Sequence, residues 1–238
     1  MMKSAEIKAI LIFFFLSMLL GCVTTPPPEK QPEDRLERKD LRAINKLARE
    51  IARERSEDFF LTGMREYNKG DFQDAYEAFS RAVVEDPKDY RSYFFLGQTH
   101  EQLRDPEKAV NDYKKALEVR PHYLPAQEAL GLVNYKQKKF KEAEINLREA
   151  EKLGSKTAEV YYTLGEIEQR NDACEKAITA YEQALRLNPD YVAAQNGLKV
   201  AQFTCRQKQH QQEQEKQIQQ PQPAQQPPQK SLKPTPRR

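Results

Sequence analysis

The chain has 238 residues, of which 38% are hydrophobic. This length and composition predict one modest folded domain with unstructured ends. The 39 basic and 36 acidic side chains nearly balance and leave a net charge of +3, and no basic stripe interrupts the middle of the chain. Nucleic-acid-binding domains concentrate positive charge on one surface, so we expect no nucleic-acid partner.

A short basic start and an apolar run occupy the N-terminus. Lys3 and Lys8 precede an almost unbroken apolar stretch over residues 9–20. That stretch is too short to span a bilayer and has the length of a signal-peptide core. An uncleaved signal anchor or a buried helix is the alternative.

The apolar run ends in Leu19-Leu20-Gly21-Cys22. This ending resembles the lipobox of bacterial lipoproteins, which implies a signal peptide over residues 1–21 and attachment of a diacylglyceryl lipid at Cys22. Several acyl chains on one residue give stable anchoring, whereas one chain is marginal. In the best-known sorting rule for such lipoproteins, an aspartate after the cysteine retains the protein at the inner membrane. Val23 stands there instead, which implies the periplasmic face of the outer membrane.

Two predicted segments separate this anchor from the rest of the chain. Residues 22–32 form a tether, because the prolines at 26–28 favour an extended polyproline conformation. Residues 33–55 form an amphipathic helix, which we interpret as an N-terminal cap over the stack that follows. Occupation of a groove or binding of a partner is the alternative role. The apolar face of this helix carries Leu41, Ile44, Ala48, Ile51 and Ala52 at three- and four-residue spacing.

Four glycines recur at a fixed interval through the middle of the chain, since 97−63, 131−97 and 165−131 all equal 34. Counted from each glycine, alanines stand at positions +12 and +19 and a large apolar residue at +16, and in three of the four units a proline stands at +24. Several columns in one register predict a repeat architecture. The glycines are Gly63, Gly97, Gly131 and Gly165, and the large residues are Phe79, Tyr113, Leu147 and Tyr181.

Each unit is predicted to hold two short helices. A glycine inside a helix costs about 1 kcal/mol relative to alanine, so we expect it to serve a close helix crossing where the missing Cβ leaves room. The proline ends the second helix because it lacks an N–H and clashes with the preceding turn. In the third unit Gly154 precedes Ser155 and is expected to end the helix instead with a left-handed residue.

These columns resemble the tetratricopeptide repeat over residues 56–191, which is more than half of the chain. The match rests on Leu-Gly, Ala, aromatic, Ala and Pro at the spacing of that family, with Thr62 in place of Leu and Ser155 in place of Pro. The resemblance implies an all-α fold, a right-handed α-solenoid of four antiparallel helix pairs, with the first helix of each pair lining the concave face. The four repeats are residues 56–89, 90–123, 124–157 and 158–191.

The C-terminal part of the chain predicts a second cap and a tail. Residues 192–210 form a capping helix, because Ala194, Leu198, Ala201 and Cys205 share one face. The Gln- and Pro-rich residues 211–238 cannot bury enough apolar surface to offset the entropy of ordering, so we expect a disordered tail.

Three cysteines occur in the chain. With Cys22 lipidated, Cys174 and Cys205 remain as a pair in an oxidising compartment. Cys174 takes the column of Phe72 and Phe140, so it is expected to point inward at the start of a second helix. Cys205 lies on the inward face of the capping helix, whose end runs past that start in stacked repeats. We predict a disulfide between them, with two buried thiols as the alternative.

No catalytic constellation is visible in the sequence. His100, His122 and His210 are scattered, and none has metal-ligand spacing with a cysteine or carboxylate on a shared face. The glycines lie inside predicted helices or stand alone, so no loop is suited to cradle a phosphate. We therefore expect no enzyme activity, no cofactor and no metal.

Function is then expected in the concave groove. The residues three before, one after and four after each repeat glycine lie on one helix face, which is aromatic and apolar at its N-terminal end and more polar and acidic toward its C-terminal end. We predict that this face binds a polypeptide with apolar anchors, unless the N-terminal helix covers Phe60, Met64 and Phe94 as core. The candidate binding residues are Phe60, Met64, Tyr67, Phe94, Gln98, Leu132, Tyr135 and Tyr162.

The sequence thus predicts a membrane-anchored, non-enzymatic adaptor of the bacterial cell envelope that docks another envelope protein or peptide. Its resemblance to other repeat lipoproteins suggests pilus or secretin assembly, or outer-membrane assembly. A regulatory cofactor of a peptidoglycan synthase or hydrolase is the alternative.

Overall fold

The computed structural model describes residues 32–219, with side chains for residues 39–216. The predicted signal peptide, Cys22, nearly all of the tether and the tail beyond residue 219 lie outside the described residues. The chain divides into two units, Met1–Ala52 and Arg53–Arg238, which are considered separately here.

All regular structure in residues 32–219 is helical. Within that range no helix combines the length and the apolarity that a bilayer crossing requires. The helices are α1 Pro32–Lys69, α2 Phe72–Glu85, α3 Tyr90–Gln102, α4 Pro106–Val119, α5 Leu124–Lys136, α6 Phe140–Lys152, α7 Ala158–Arg170, α8 Cys174–Leu187 and α9 Val192–Gln219.

In the first unit, the described residues belong to the N-terminal part of α1. The helix begins at Pro32, as the amphipathic pattern predicts, and continues without a break to Lys69. Its apolar side chains Leu41, Ile44 and Ile51 are exposed. The role of this segment as a cap stays a prediction.

The second unit is a stack of helix pairs in which, from α2 to α9, each helix packs against its neighbours along the chain. The rest of α1 joins this stack, because the Ser56 hydroxyl donates a 3.0 Å hydrogen bond to the Ala82 carbonyl of α2. The predicted all-α solenoid is confirmed. The two alanine columns of the repeat are fully buried at Ala75, Ala82, Ala109, Ala116, Ala143, Ala150, Ala177 and Ala184.

All four repeat glycines are buried at equivalent helix contacts. A Cβ built on any of them would lie 2.5–2.6 Å from the large side chain of the same repeat, far inside van der Waals contact. The missing Cβ therefore makes room for that side chain. At Gly131 a backbone atom is also among the nearest neighbours, the nitrogen of Leu147 at 3.2 Å.

Tyr181 is enclosed by a fifth glycine that the period does not predict. A Cβ on Gly197 of α9 would lie 2.6 Å from the Tyr181 ring, as would a Cβ on Gly165 of α7. The period would place the next glycine at position 199, which is a lysine. The ring is therefore close to the backbones of two helices, α7 and α9.

Helix ends follow the local chemistry of the sequence. Asp105 precedes α4 and its carboxylate accepts a hydrogen bond from the Lys108 backbone N–H at 3.2 Å, a typical N-cap. Gly154 follows α6 with a φ of +83°, in the left-handed region where glycine has no steric cost. The expectation that Gly154 replaces the missing proline of the third repeat is therefore confirmed.

The last helix is longer than the sequence predicts. α9 runs to Gln219, whereas the disordered tail is expected from residue 211. Residues 211–219 are Gln, Glu, Lys and Ile with no proline before Pro221, and the first three of these residue types have good helix propensity. The prediction that disorder begins at residue 211 is therefore wrong for residues 211–219, because a polar stretch of this kind can also form a helix.

Cys174 and Cys205 are joined by a disulfide in the structure. Their Cα atoms lie 5.5 Å apart, a common spacing for bonded cysteines. The bridge links the first residue of α8 to α9, and Cys205 is buried.

Candidate groove face

We call the first-helix residues three before, one after and four after each repeat glycine the groove face. Two of the candidate binding residues on it, Phe60 and Phe94, are only 9% and 7% exposed. The other six candidates are half-buried, so part of each side chain reaches solvent: Met64, Tyr67, Gln98, Leu132, Tyr135 and Tyr162.

The burial of Phe60 and Phe94 corrects the expectation that these rings are offered to a partner. Phe95 packs edge-on against both, with ring centroids 5.6 Å from Phe60 and 5.3 Å from Phe94. Tyr123 closes on Phe94 at 5.4 Å, and the Arg91 guanidinium lies over Phe60 at 4.6 Å. Residues of the repeats themselves therefore take these two rings into the core.

In the middle of the groove face, the carboxylate of Glu101 has its partners within the protein. The Tyr113 hydroxyl, which comes from a second helix, donates a 2.6 Å hydrogen bond to Glu101. The other oxygen of Glu101 lies 3.9 Å from the Lys136 ammonium. Burial raises the pKa of Tyr67 nearby, so its hydroxyl keeps its proton at physiological pH. Glu101 thus has both a hydroxyl donor and a cation.

At the C-terminal end, tyrosines surround the carboxylate of Glu166. The Tyr135 hydroxyl donates to one carboxylate oxygen at 3.0 Å. The Tyr181 hydroxyl lies 3.1 Å from the other oxygen and shares its single hydrogen between Glu166 and the Gln169 side-chain oxygen at 3.0 Å. The Tyr162 ring lies 5.9 Å from Tyr181 and 5.1 Å from Tyr191, centroid to centroid. Tyr135 and Tyr181 therefore contact Glu166 directly, and Tyr162 links Tyr181 to Tyr191 in one aromatic cluster. We call Glu166 with Tyr135, Tyr162 and Tyr191 the tyrosine cage.

These tyrosines stay protonated over a wide pH range. Burial, followed by the neighbouring Glu166, raises the pKa of Tyr135 to about 12. The same two causes raise the pKa of Tyr162. At physiological pH both phenols are therefore neutral and can donate hydrogen bonds to the carboxylate.

Glu166 lies at the end of the groove that is predicted to be acidic, but its aromatic neighbours do not follow from positions on first helices. Tyr181 comes from a second helix and Tyr191 from the loop before α9. A signal was present, because the column of large residues carries a hydroxyl in the second and fourth repeats, at Tyr113 and Tyr181, but not in the others.

One of the three histidines, His100, has a carboxylate partner that the sequence does not predict. His100 and Asp112, on the two helices of one repeat, form a buried pair with the Nδ1 atom 2.6 Å from a carboxylate oxygen. A comparison of residues on one helix face does not predict this pair, because His100 lies on α3 and Asp112 on α4. Among the described side chains, no group of three or more His, Cys, Asp or Glu residues could hold a metal ion. Both partners lie inside the stack rather than in a cleft, which is typical of a structural pair.

Two of the four repeats match a family model. Residues 90–123 and residues 158–191 each match one described as Tetratricopeptide repeat. These ranges coincide with the second and fourth repeats derived from the glycine period. Among curated proteins, the chain is 29% identical over 147 residues to the Photosystem I assembly protein Ycf3 of Rippkaea orientalis, which covers 60% of this chain and 73% of the relative.

Solved structures show the same fold. MamA superposes with a TM-score of 0.59 and 26% identity, over 63% of this chain and 82% of MamA. YrrB, described as a TPR protein with an unusual peptide-binding site, superposes with a TM-score of 0.53 over 60% of this chain and 74% of YrrB. YrrB is only 19% identical, so it informs the fold alone. The matched segments are therefore tetratricopeptide repeats, and the second unit has the α-solenoid fold that such repeats build.

Proposed function

We propose that the chain is a non-enzymatic scaffold that docks a partner polypeptide on the groove face. It is held by a lipid at Cys22 on the periplasmic face of the outer membrane. The observation that carries the docking proposal is a row of half-buried apolar and aromatic side chains along successive first helices. Leu132, Tyr135 and Tyr162 pack on the core with part of their surface and leave the rest to solvent.

Such a row suits a polypeptide better than a small molecule. The side chains belong to different repeats, α5 and α7, so together they form an extended surface instead of a closed cavity. Partly exposed aromatic residues are typical anchors of protein interfaces. An assembly role is also in keeping with the relative Ycf3, which is named as an assembly protein. Photo-crosslinking in cells from position 132 tests docking, and capture of a discrete protein is the expected result.

The anchor has a separate test. In cells grown with labelled palmitate, we expect the wild-type protein to carry the label and to sediment with outer-membrane fractions. The Cys22→Ser variant should be unlabelled, because a hydroxyl does not replace the thiolate that takes the lipid. A variant with Cys174→Ala and Cys205→Ala should keep the label, which controls for loss of a cysteine elsewhere. Label that persists in the Cys22→Ser variant, or is absent from the wild type, would contradict the anchor.

A further inference from the structure

The Glu166 carboxylate accepts hydrogen bonds from neutral hydroxyls but has no cationic partner. Among residues 39–216, no Lys, Arg or His nitrogen lies within 4.0 Å of it. Its described hydrogen-bond donors are Tyr135 and Tyr181. A carboxylate can accept about four hydrogen bonds, so capacity remains. A half-buried negative charge that is stabilised by hydroxyls alone has much to gain from a cation.

Two other carboxylates of the stack have such a partner. Glu168, two residues along α7 and 3% exposed, is paired with Arg148. Glu101 on the groove face has Lys136 at 3.9 Å. Glu168 and Glu101 are therefore neutralised within the stack, whereas Glu166 depends on hydroxyl donors, as Glu128 does with Ser155 and Thr157.

Two paired aromatic rings, Tyr162 and Tyr191, lie near Glu166, and both side chains are half-buried. The Tyr162 and Tyr191 centroids are 5.1 Å apart, with the planes tilted by 49°. Ring faces attract cations through their quadrupole, and Lys and Arg are bound in this way in proteins. The nearest exposed cation on the same helix, Arg170, is occupied elsewhere, because its guanidinium lies over the Phe140 ring at 4.0 Å.

We propose that the tyrosine cage binds a lysine or arginine side chain of the docked polypeptide. The carboxylate supplies the opposite charge, and the rings of Tyr162 and Tyr191 supply aromatic faces for the alkyl stem and the cationic head. The hydroxyls of Tyr135 and Tyr181 hold the carboxylate in place. This inference rests on the proposed docking function and adds a recognition element to it, a basic residue that meets the last repeat.

The proposal is tested with minimal probes on the full mature chain. N-acetyl-lysine methylamide and N-acetyl-arginine methylamide are titrated while the ring signals of isotope-labelled tyrosines are followed by NMR. We expect Tyr162 and Tyr191 signals to shift with a Kd of about 1 mM for at least one probe, equivalent to about −4 kcal/mol. The neutral N-acetyl-glutamine methylamide should cause no shift at the same concentrations. Binding should weaken as salt is raised, because the site is partly exposed.

Variants distinguish binding at the tyrosine cage from a general attraction of cations to the acidic groove face. Glu166→Gln keeps the side-chain shape and is expected to weaken binding at least about tenfold, a loss of about 1.4 kcal/mol. Glu128→Gln is the matched control, since Glu128 also lies on the groove face and accepts hydroxyls, from Ser155 and Thr157, with no tyrosine among these donors. It should leave binding within about twofold. Tyr162→Phe should retain binding, because the ring face remains, and Tyr162→Ala should lose it.

The outcomes distinguish this inference from the docking proposal. If neither cationic probe shifts the tyrosine signals, or if Glu166→Gln and Glu128→Gln weaken binding equally, the cage is refuted. Crosslinking from Leu132 is a separate readout, so a partner captured there with unchanged yield in the Glu166→Gln variant would leave docking intact and also refute the cage. Circular dichroism of each variant checks that the helices are retained.

Discussion

Replacing Gly165 with valine is expected to destabilise the second unit by about 3 kcal/mol or more. A Cβ at this position would lie 2.6 Å from a ring carbon of Tyr181. The ring is fully buried, and Gly197 of α9 approaches it as closely as Gly165 does, so little room is left for the ring to move. Urea unfolding followed by circular dichroism measures the effect.

A double variant shows whether the clash is the cause. Tyr181→Leu removes the ring and by itself should be destabilising, but Gly165→Val should cost at least about 1 kcal/mol less in that background, since the two residues are in direct contact. Thr179→Val on the exposed side of α8 introduces the same side chain without a clash and should change stability by less than about 0.5 kcal/mol. A Gly165→Val protein as stable as the parent would show that the glycine column does not set the helix packing.

Reduction of the Cys174–Cys205 bridge is expected to lower the free energy of unfolding by about 3–4 kcal/mol. The bridge closes a loop of 31 residues, and cross-linking restricts the unfolded chain by an amount that depends on loop length. It also secures α9, the helix that places Gly197 against Tyr181. Parallel urea titrations with and without reductant measure the loss, and a Cys174→Ala, Cys205→Ala variant should be indifferent to reductant.

Thiol titration of the unreduced mature protein gives an independent check on the bridge. We expect no free thiol in the absence of reductant and two after reduction in denaturant, with Cys22 blocked by lipid. Two free thiols in the unreduced sample would mean that the cysteines are buried fillers and that the reductant effect should be absent.

The repeat architecture could be predicted because the same residue types recur every 34 residues. In every unit the glycine contacts the large residue of the same repeat, and both alanines are buried. Gly63 and Gly165 therefore occupy equivalent positions in the packing. The residue types at helix ends also predicted where some helices stop, as at Gly154 with its positive φ. The length of α9 could not be predicted from composition, because Gln-rich sequence is compatible both with a disordered tail and with a helix that continues from a packed segment.

The candidate site was only partly predictable, because it depends on contacts between helices. The positions of Leu132, Tyr135 and Tyr162 follow from the period, and all three are half-buried. Burial of Phe60 and Phe94 depends on Phe95 and Tyr123, whose rings pack across helix boundaries. A count of residues on one helix face cannot anticipate such neighbours. The contact between Tyr181 and Glu166 could not be predicted either, because the two residues lie on different helices.

The most direct test of the central claim is photo-crosslinking in living cells from a photoreactive phenylalanine analogue placed at residue 132, with the same analogue at residue 145 as the control. Leu132 is a half-buried groove-face residue, whereas Ile145 is 69% exposed on the second helix α6. The account predicts a discrete protein adduct from residue 132 and none of the same mass from residue 145. Adducts of one mass from residue 145 alone, or equal yields from both positions, would contradict docking on the groove face.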